Sequence, residues 1–129
     1  MATEVKRVRL IPKSERAELP TAQTPGIRRE QAIADDHLWL GTVETEPNKF
    51  SGWHHHGEYD TYAYIISGRA RVEFGPGGRE HADGGPDDFI HIPKWAVHRE
   101  GNPDPTPLRA VLVRIGSGQS LFNVEGPEA

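Results

Sequence analysis

Three observations predict an all-β protein, an antiparallel sandwich or barrel. The 129 residues include 14 glycines and 11 prolines, placed so that a turn signal recurs roughly every ten residues. Between these signals the chain alternates apolar with polar residues and uses β-branched and aromatic side chains, as short strands do. No segment shows the 3.6-residue periodicity of a long amphipathic helix.

About nine short strands are expected, most of them ended by a proline or a turn sequence. The first ends at Pro12, the third at the turn 46–48, the sixth at the glycine-rich turn 75–78, and the seventh at Pro93. The strands with clear bounds cover residues 5–11, 26–34, 38–45, 52–56, 61–67, 69–74, 88–92 and 108–115.

Two of these strands alternate strictly, which indicates one buried and one exposed face. Residues 69–74 alternate charged with apolar side chains, and in residues 108–115 the apolar Leu108, Ala110 and Leu112 fall on one face. Both strands are therefore expected to cover a core on one side.

The length suits one domain, because two domains would each have a marginal core. We expect a single domain over residues 1–129, with an N-terminal strand or arm at 1–25 and a barrel at 26–116. Residues 117–129 are expected to be a tail that packs on a neighbour or frays.

Composition narrows the classes of function. The net charge is −4 and the basic residues are scattered, which disfavours nucleic acid and anionic membranes and favours a small-molecule substrate. Without cysteine, a metal site must use histidine, carboxylate and water. No N-terminal signal segment or membrane-spanning run is present, so we expect a cytoplasmic protein.

Three consecutive histidines, His54, His55 and His56, precede an apolar run that ends at Gly68. In an extended strand residues i and i+2 share a face, so His54 and His56 can point together while His55 points away. A third ligand must come from another strand, and His98 is the candidate. Imidazoles suit a divalent transition metal: Fe, Mn, Ni, Cu or Zn. Spacing alone leaves open that these histidines are exposed polar residues.

Two motifs frame the histidines. Asn48, His54, His56, Thr61 and Gly68 have the spacing of a first motif of glycine, His-x-His, glutamate and glycine. A second motif of glycine, Pro-x-Gly, histidine and asparagine has its counterparts at Asp87, Pro93, Trp95, His98 and Asn102. Six of the ten positions match.

In these motifs the chain resembles the cupin family over most of its length. The resemblance implies an antiparallel double-stranded β-helix, the jelly-roll or cupin barrel, with the metal inside one end and His54, His56 and His98 as its ligands. It also implies a homodimer, since small cupins pair through edge strands and the N-terminal segment, here residues 5–11, and pairing buries strand edges.

Three departures from the motifs affect backbone turns. Asn48 and Asp87 replace glycines, and these residue types tolerate positive φ next best. Trp95 also replaces a glycine, and its ring is expected to narrow the pocket mouth, to pack on a partner subunit or to fill the barrel end. The histidine assignment further requires a bulge between Gly57 and Asp60, because unbroken alternation back from Thr61 would point His55 inward.

The remaining departure is Thr61, which stands where the motif has a glutamate. The resemblance to cupins implies that this glutamate would be a fourth metal ligand and often a base. A threonine hydroxyl does neither well. The site then carries about two uncompensated positive charges and favours a chelating anion such as an enolate or a carboxylate. A bulge could return Glu58 or Asp60 to the metal.

We therefore expect a metal-dependent enzyme, most of all a dioxygenase or other oxygenase of a chelating anionic or enolisable substrate. The alternatives are a non-oxidative isomerase, cyclase or decarboxylase, and a non-catalytic small-ligand-binding cupin. Non-oxidative chemistry needs a proton carrier, and the candidates are Asp60, Glu58, Tyr62 and His91. Arg99 and Glu100 are interpreted as a surface pair, with ligand orientation as the alternative.

Overall fold

The computed structural model describes residues 5–19 and 24–129. Within these ranges lie eleven strands and two short 3-10 turns, at Lys13–Glu15 and Pro76–Gly78. The strands are β1 (Ala17–Glu18), β2 (Ile27–Ala34), β3 (Leu38–Thr45), β4 (His54–His55), β5 (Asp60–Ser67), β6 (Ala70–Phe74), β7 (Glu80–Gly84), β8 (Phe89–Ile92), β9 (Arg99–Gly101), β10 (Leu108–Ile115) and β11 (Phe122–Asn123).

The strands form an antiparallel double-stranded β-helix, which confirms the predicted fold class. The larger sheet has the order β1-β2-β3-β10-β5-β8, the smaller sheet has the order β7-β6-β9, and β11 pairs with β4. Single antiparallel bridges join Phe50 to Gly101 and His54 to His98. The chain at and before β4 therefore pairs with β9 and with His98, which precedes β9.

The core lies between the two sheets. One buried cluster belongs to the larger sheet, and a second joins β5 and β10 to β6 across the interior; their members are Ile27, Val43, Ala110 and Leu112, and Ile65, Ala70 and Leu108. The predicted alternation is confirmed in β10, where Leu108, Ala110 and Leu112 are buried and Arg109 is exposed.

The residues that replace motif glycines keep the backbone conformation of glycine. Asn48, Asp87 and Trp95 have φ of 59°, 75° and 64°. Asparagine and aspartate were expected to accept this conformation, whereas a tryptophan accepts it poorly. Gly68, which the motif retains, has φ of 83°, and a Cβ at this position would overlap the Pro107 carbonyl oxygen. The turn after β5 therefore requires glycine.

The first predicted strand is wrong for this chain. Residues 5–11 form no strand, and Val8 is 100% exposed. A segment with β-branched residues becomes a strand only when another strand is available to pair with it.

Four strands were not predicted: β1, β7, β9 and β11. Two of them are two residues long, and β7 has the sequence EHADG, whose polar side chains hide any apolar alternation. The expectation for residues 117–129 is also wrong, because this segment packs on its own chain through β11 and β4. In the described part of the chain, no helix has the length and apolar character needed to cross a membrane.

Candidate metal centre

Three buried histidines from two segments of the chain meet inside the barrel. His54 lies in β4, His56 follows that strand, and His98 directly precedes β9. The backbones of His54 and His98 exchange two hydrogen bonds of 2.9 Å, which fixes their side chains next to each other. One ring nitrogen from each of the three histidines lies within 4.8 Å of the others. The structure thus brings together the three predicted metal ligands.

Backbone carbonyls orient all three rings. The Nδ1 atoms of His54, His56 and His98 lie 2.8 Å from the carbonyl oxygens of Gly52, Ser120 and Ala96, respectively. A carbonyl only accepts, so each Nδ1 carries the proton and each neutral ring keeps its lone pair on Nε2. Such outer hydrogen bonds are typical of metal-binding histidines.

A partly buried carboxylate lies against the histidines. The Oε2 atom of Glu100 lies 3.3 Å from His54 Nε2 and 3.0 Å from His98 Nε2. Its Oε1 atom accepts a hydrogen bond of 3.3 Å from Arg29. The interpretation of Glu100 as half of a surface pair is therefore wrong, because its carboxylate lies in the site.

The sequence did contain a signal for Glu100. His98 and Glu100 have the same i, i+2 spacing that put His54 and His56 on one face. This spacing places Glu100 beside His98 only if residues 99–101 form a strand, and their sequence does not predict one. Arg99, between them, points the other way and donates a hydrogen bond to Glu73.

The protonation of this cluster suits a cation. Burial acts to raise the pKa of Glu100, but in the metal-free chain its hydrogen bonds and charge interactions with His54 and His98 outweigh burial and hold that pKa well below the usual range. Against the effect of burial, the same carboxylate raises the pKa of His54, so a positive charge is favoured between these groups. Burial, helped by the Arg114 guanidinium, lowers the pKa of His56 to about 3, so this ring is a neutral ligand at physiological pH.

The donor set fits a divalent transition metal. His98 Nε2 and Glu100 Oε2 are buried without a hydrogen-bond partner, although they lie side by side. Two lone pairs facing each other in a dry interior are unfavourable unless a proton or a cation lies between them. Imidazole nitrogens with one carboxylate suit Fe, Mn, Ni, Cu or Zn.

Two cavities adjoin the histidines. The inner cavity, of about 60 Å³, lies between the sheets and has mainly apolar walls, whereas the outer one measures about 390 Å³. His56, Arg29 and Arg114 line both cavities, so the three residues stand where the two meet.

Thr61 faces the inner cavity, as the alternation of β5 predicted. Its side chain is buried, and its Oγ1 atom has no hydrogen-bond partner. On the neighbouring strand β10, the residue directly opposite is Arg114. Thr61 therefore occupies the place of the motif glutamate without supplying a carboxylate.

The structure does not bring the four predicted proton carriers to the histidines. Asp60 and His91 form an exposed pair, 2.9 Å apart, and Tyr62 stacks on His91. Glu58 accepts a hydrogen bond of 2.9 Å from the indole of Trp95. Asp60 and Tyr62 flank the inward-facing Thr61 on β5 and therefore point outward. With Asp60 pointing outward and Glu58 bound to Trp95, neither carboxylate takes the place of the motif glutamate.

His55 lies off the metal centre, as predicted. Its ring stacks on Phe122 and approaches Trp95, with centroids 4.8 and 5.1 Å away. The break in alternation that this assignment required is a turn after His56, where Gly57 has φ of 56°. Trp95 is 54% exposed, so the expectation that its ring fills the barrel end is wrong.

Comparisons with known proteins agree on the fold. Among solved structures, an uncharacterised double-stranded β-helix protein from Klebsiella pneumoniae subsp. pneumoniae MGH 78578 matches with a TM-score of 0.72 and 18% identity, over 92% of this chain and 99% of that one. The polyketide cyclase RemF from Streptomyces resistomycificus matches with a TM-score of 0.71 and 20% identity, over 94% and 86%. Oxalate decarboxylase from Bacillus subtilis, described with Mn(II) centres, matches with a TM-score of 0.68 and 19% identity, over 86% and 30%.

Sequence comparison identifies the family. No curated protein matches this chain significantly. The family model for the cupin domain matches residues 41–114, which is more than half of the chain and includes the three histidines and Glu100. The chain belongs to the cupin family.

Proposed function

We propose that this protein is a metal-dependent enzyme that acts on a small, chelating anionic or enolisable substrate. The observation that supports this most directly is the convergence of His54, His56 and His98 on one point, with Glu100 beside them. Each ring is oriented by a backbone carbonyl, and the facing atoms of His98 and Glu100 lack hydrogen-bond partners.

The residues around the site have separate tasks in this proposal. The three histidines hold the metal through Nε2, and Arg29 holds one oxygen of Glu100 so that the other faces His54 and His98. When bound, the metal would act as a Lewis acid or as a centre for redox chemistry. The apolar walls of the inner cavity limit the access of water to the substrate.

Oxygenation of a chelating substrate remains the first reaction to test. His54, His56 and His98, with Glu100 beside them, would hold the metal and leave it accessible to a substrate that chelates. The Glu100 carboxylate reduces the uncompensated charge of a divalent ion from about two units to about one, so a singly charged enolate or carboxylate is the best match.

Non-oxidative isomerisation, cyclisation or decarboxylation is the second candidate, and Glu100 favours it. Apart from His56, this carboxylate is the one proton-accepting side chain that the described part of the chain places in the inner cavity. A decarboxylase and a cyclase among the similar structures are consistent with such chemistry on this fold.

The metal centre is tested by elemental analysis of protein purified without added metal. We expect about one transition-metal ion per chain in the wild type, and loss of that ion in the double variant His54→Ala, His98→Ala. His37→Ala, which removes an exposed histidine from the β2–β3 turn, is the matched control. Unchanged metal content in the double variant would refute this centre.

The reaction is tested with protein reconstituted separately with Fe(II), Mn(II), Ni(II) and Cu(II), against enolisable diketones, flavonols and hydroxy acids. Oxygen consumption coupled to substrate loss supports the oxygenase, and turnover without oxygen supports the non-oxidative enzyme. Tight retention of a small ligand with no turnover under either condition would refute catalysis and favour a binding module.

A cytoplasmic location remains part of the proposal.

A further inference from the structure

We propose that the inner cavity binds a carboxylate group of the substrate through the Arg114 guanidinium and the Thr61 hydroxyl. This inference rests on the proposed function, because it names the substrate group that is recognised beside the metal centre. The ligand class is a small carboxylate whose other end reaches the histidines.

The sheet register places the two donors side by side. Thr61 of β5 and Arg114 of β10 are directly paired, and such residues share a face with their Cβ atoms about 4.5–5.5 Å apart. Both line the inner cavity together with His56 and Glu100. A group held between Thr61 and Arg114 is therefore close to the proposed metal ligands.

Each of the two side chains has one buried donor atom without a hydrogen-bond partner among the described residues. The Nε atom of Arg114 and the Oγ1 atom of Thr61 are buried and make no hydrogen bond. The Trp39 ring lies against the Arg114 guanidinium, with its centroid 5.4 Å away. A buried donor without an acceptor destabilises the fold, and more so when it is charged. A carboxylate has two acceptor oxygens and would satisfy both donors.

The charges in the cavity also favour an anion. Among the described residues that line it, Arg29 and Arg114 are cationic and Glu100 is the one carboxylate. Glu100 already accepts a hydrogen bond from Arg29. Burial, helped by the Arg29 guanidinium, lowers the pKa of Arg114 to about 10, so its guanidinium still carries its charge at neutral pH.

The departure at residue 61 explains why this cavity can accept a ligand. The motif glutamate at this position would put a carboxylate of the chain itself directly opposite Arg114. Threonine is shorter and uncharged, so it leaves both the space and the guanidinium available. The substrate carboxylate would then take the place that the motif assigns to a protein side chain.

The test is calorimetric titration of the Zn(II)-loaded protein with malonate and with its neutral analogue malonamide. We expect the wild type to bind malonate at least about 10-fold more tightly than malonamide. Arg114→Gln should weaken malonate binding by about 10- to 100-fold, and Thr61→Val by about 2- to 10-fold. Thr61→Glu should abolish it by placing a carboxylate in the cavity. Arg109→Gln, on the exposed face of β10, should bind malonate as the wild type does.

Thermal unfolding of the metal-free variants separates recognition from a structural role. Removing the partly buried Arg114 cation, whose Nε makes no hydrogen bond, should leave the Tm of Arg114→Gln no lower than that of the wild type. Equal malonate affinity in the wild type and Arg114→Gln would overturn the inference, as would equal binding of malonate and malonamide. Absence of bound metal in the wild type would instead refute the proposed function. The same titrations of metal-free protein would then test the anion site by itself.

Discussion

The Glu100 carboxylate contacts two of the three histidines, although the cupin motif would place its carboxylate at residue 61. We predict that Glu100→Gln, which keeps the shape of the side chain but removes its charge, weakens metal binding by about 10- to 100-fold. Competition with a chelator of known affinity measures this change. Glu73→Gln, which removes the carboxylate that pairs with Arg99 in the smaller sheet, should bind metal as the wild type does. Equal affinities in all three proteins would exclude Glu100 as a ligand.

The individual site residues differ in how far the sequence determined them. The three histidines were predictable because their motif spacing and strand alternation agree, and Thr61 was placed correctly by the alternation of β5. Arg114 was not predicted as a site residue, because its position opposite Thr61 depends on the register of two strands that are far apart in the sequence. Long-range register cannot be read from local alternation.

The C-terminal segment with β11 supports the histidine segment from outside. Phe122 stacks on His55, and the Ser120 carbonyl accepts the hydrogen bond from His56 Nδ1. We predict that Phe122→Ala lowers the free energy of unfolding by about 1–3 kcal/mol and weakens metal binding by about 10-fold, because the ring of His56 loses its fixed orientation. Urea unfolding and metal competition measure the two effects. Glu125→Ala, exposed in the same segment, serves as the control, and similar metal affinities in both variants would show that β11 does not support the site.

The turn between β2 and β3 depends on the ionised carboxylate of Asp35. Its Oδ1 atom accepts hydrogen bonds of 2.8 Å from the backbone N–H groups of His37 and Leu38, and these bonds lower the pKa of Asp35. A carboxyl with a lowered folded-state pKa stabilises the fold above its unfolded pKa, and this contribution disappears as the pH falls through the folded-state pKa.

We therefore predict that Asp35→Ala is less stable than the wild type at pH 7, and that the difference shrinks as the pH falls below about 4. Urea unfolding at a series of pH values measures it. Asp36→Ala, in the same exposed turn, should show a smaller difference at pH 7. A stability difference that stays constant down to about pH 2 would show that the charge of Asp35 is not involved.

For the whole molecule, the sequence predicted the architecture better than the complete set of strands. The long strands β2, β3, β5 and β10 alternate because one face covers the core, so their signal is strong and local. The short strands β9 and β11 exist because other segments lie beside them, and their own residues carry little signal. The fold class was therefore predictable from the sequence, whereas the short strands β9 and β11 beside the histidines were not.

In the predicted homodimer, the exposed residues 5–11 would contact a second copy of the chain. In this segment Val8 is 100% and Leu10 84% exposed, and both point into solvent as the apolar residues of an unpaired edge would. We propose that a second copy of the chain covers it. Light scattering during gel filtration should show a dimer for the wild type and a monomer for the variant Val8→Glu, Leu10→Glu. Arg7→Gln, which changes a polar position of the same segment, should remain dimeric. A wild type that elutes as a monomer at micromolar concentration would refute this dimer.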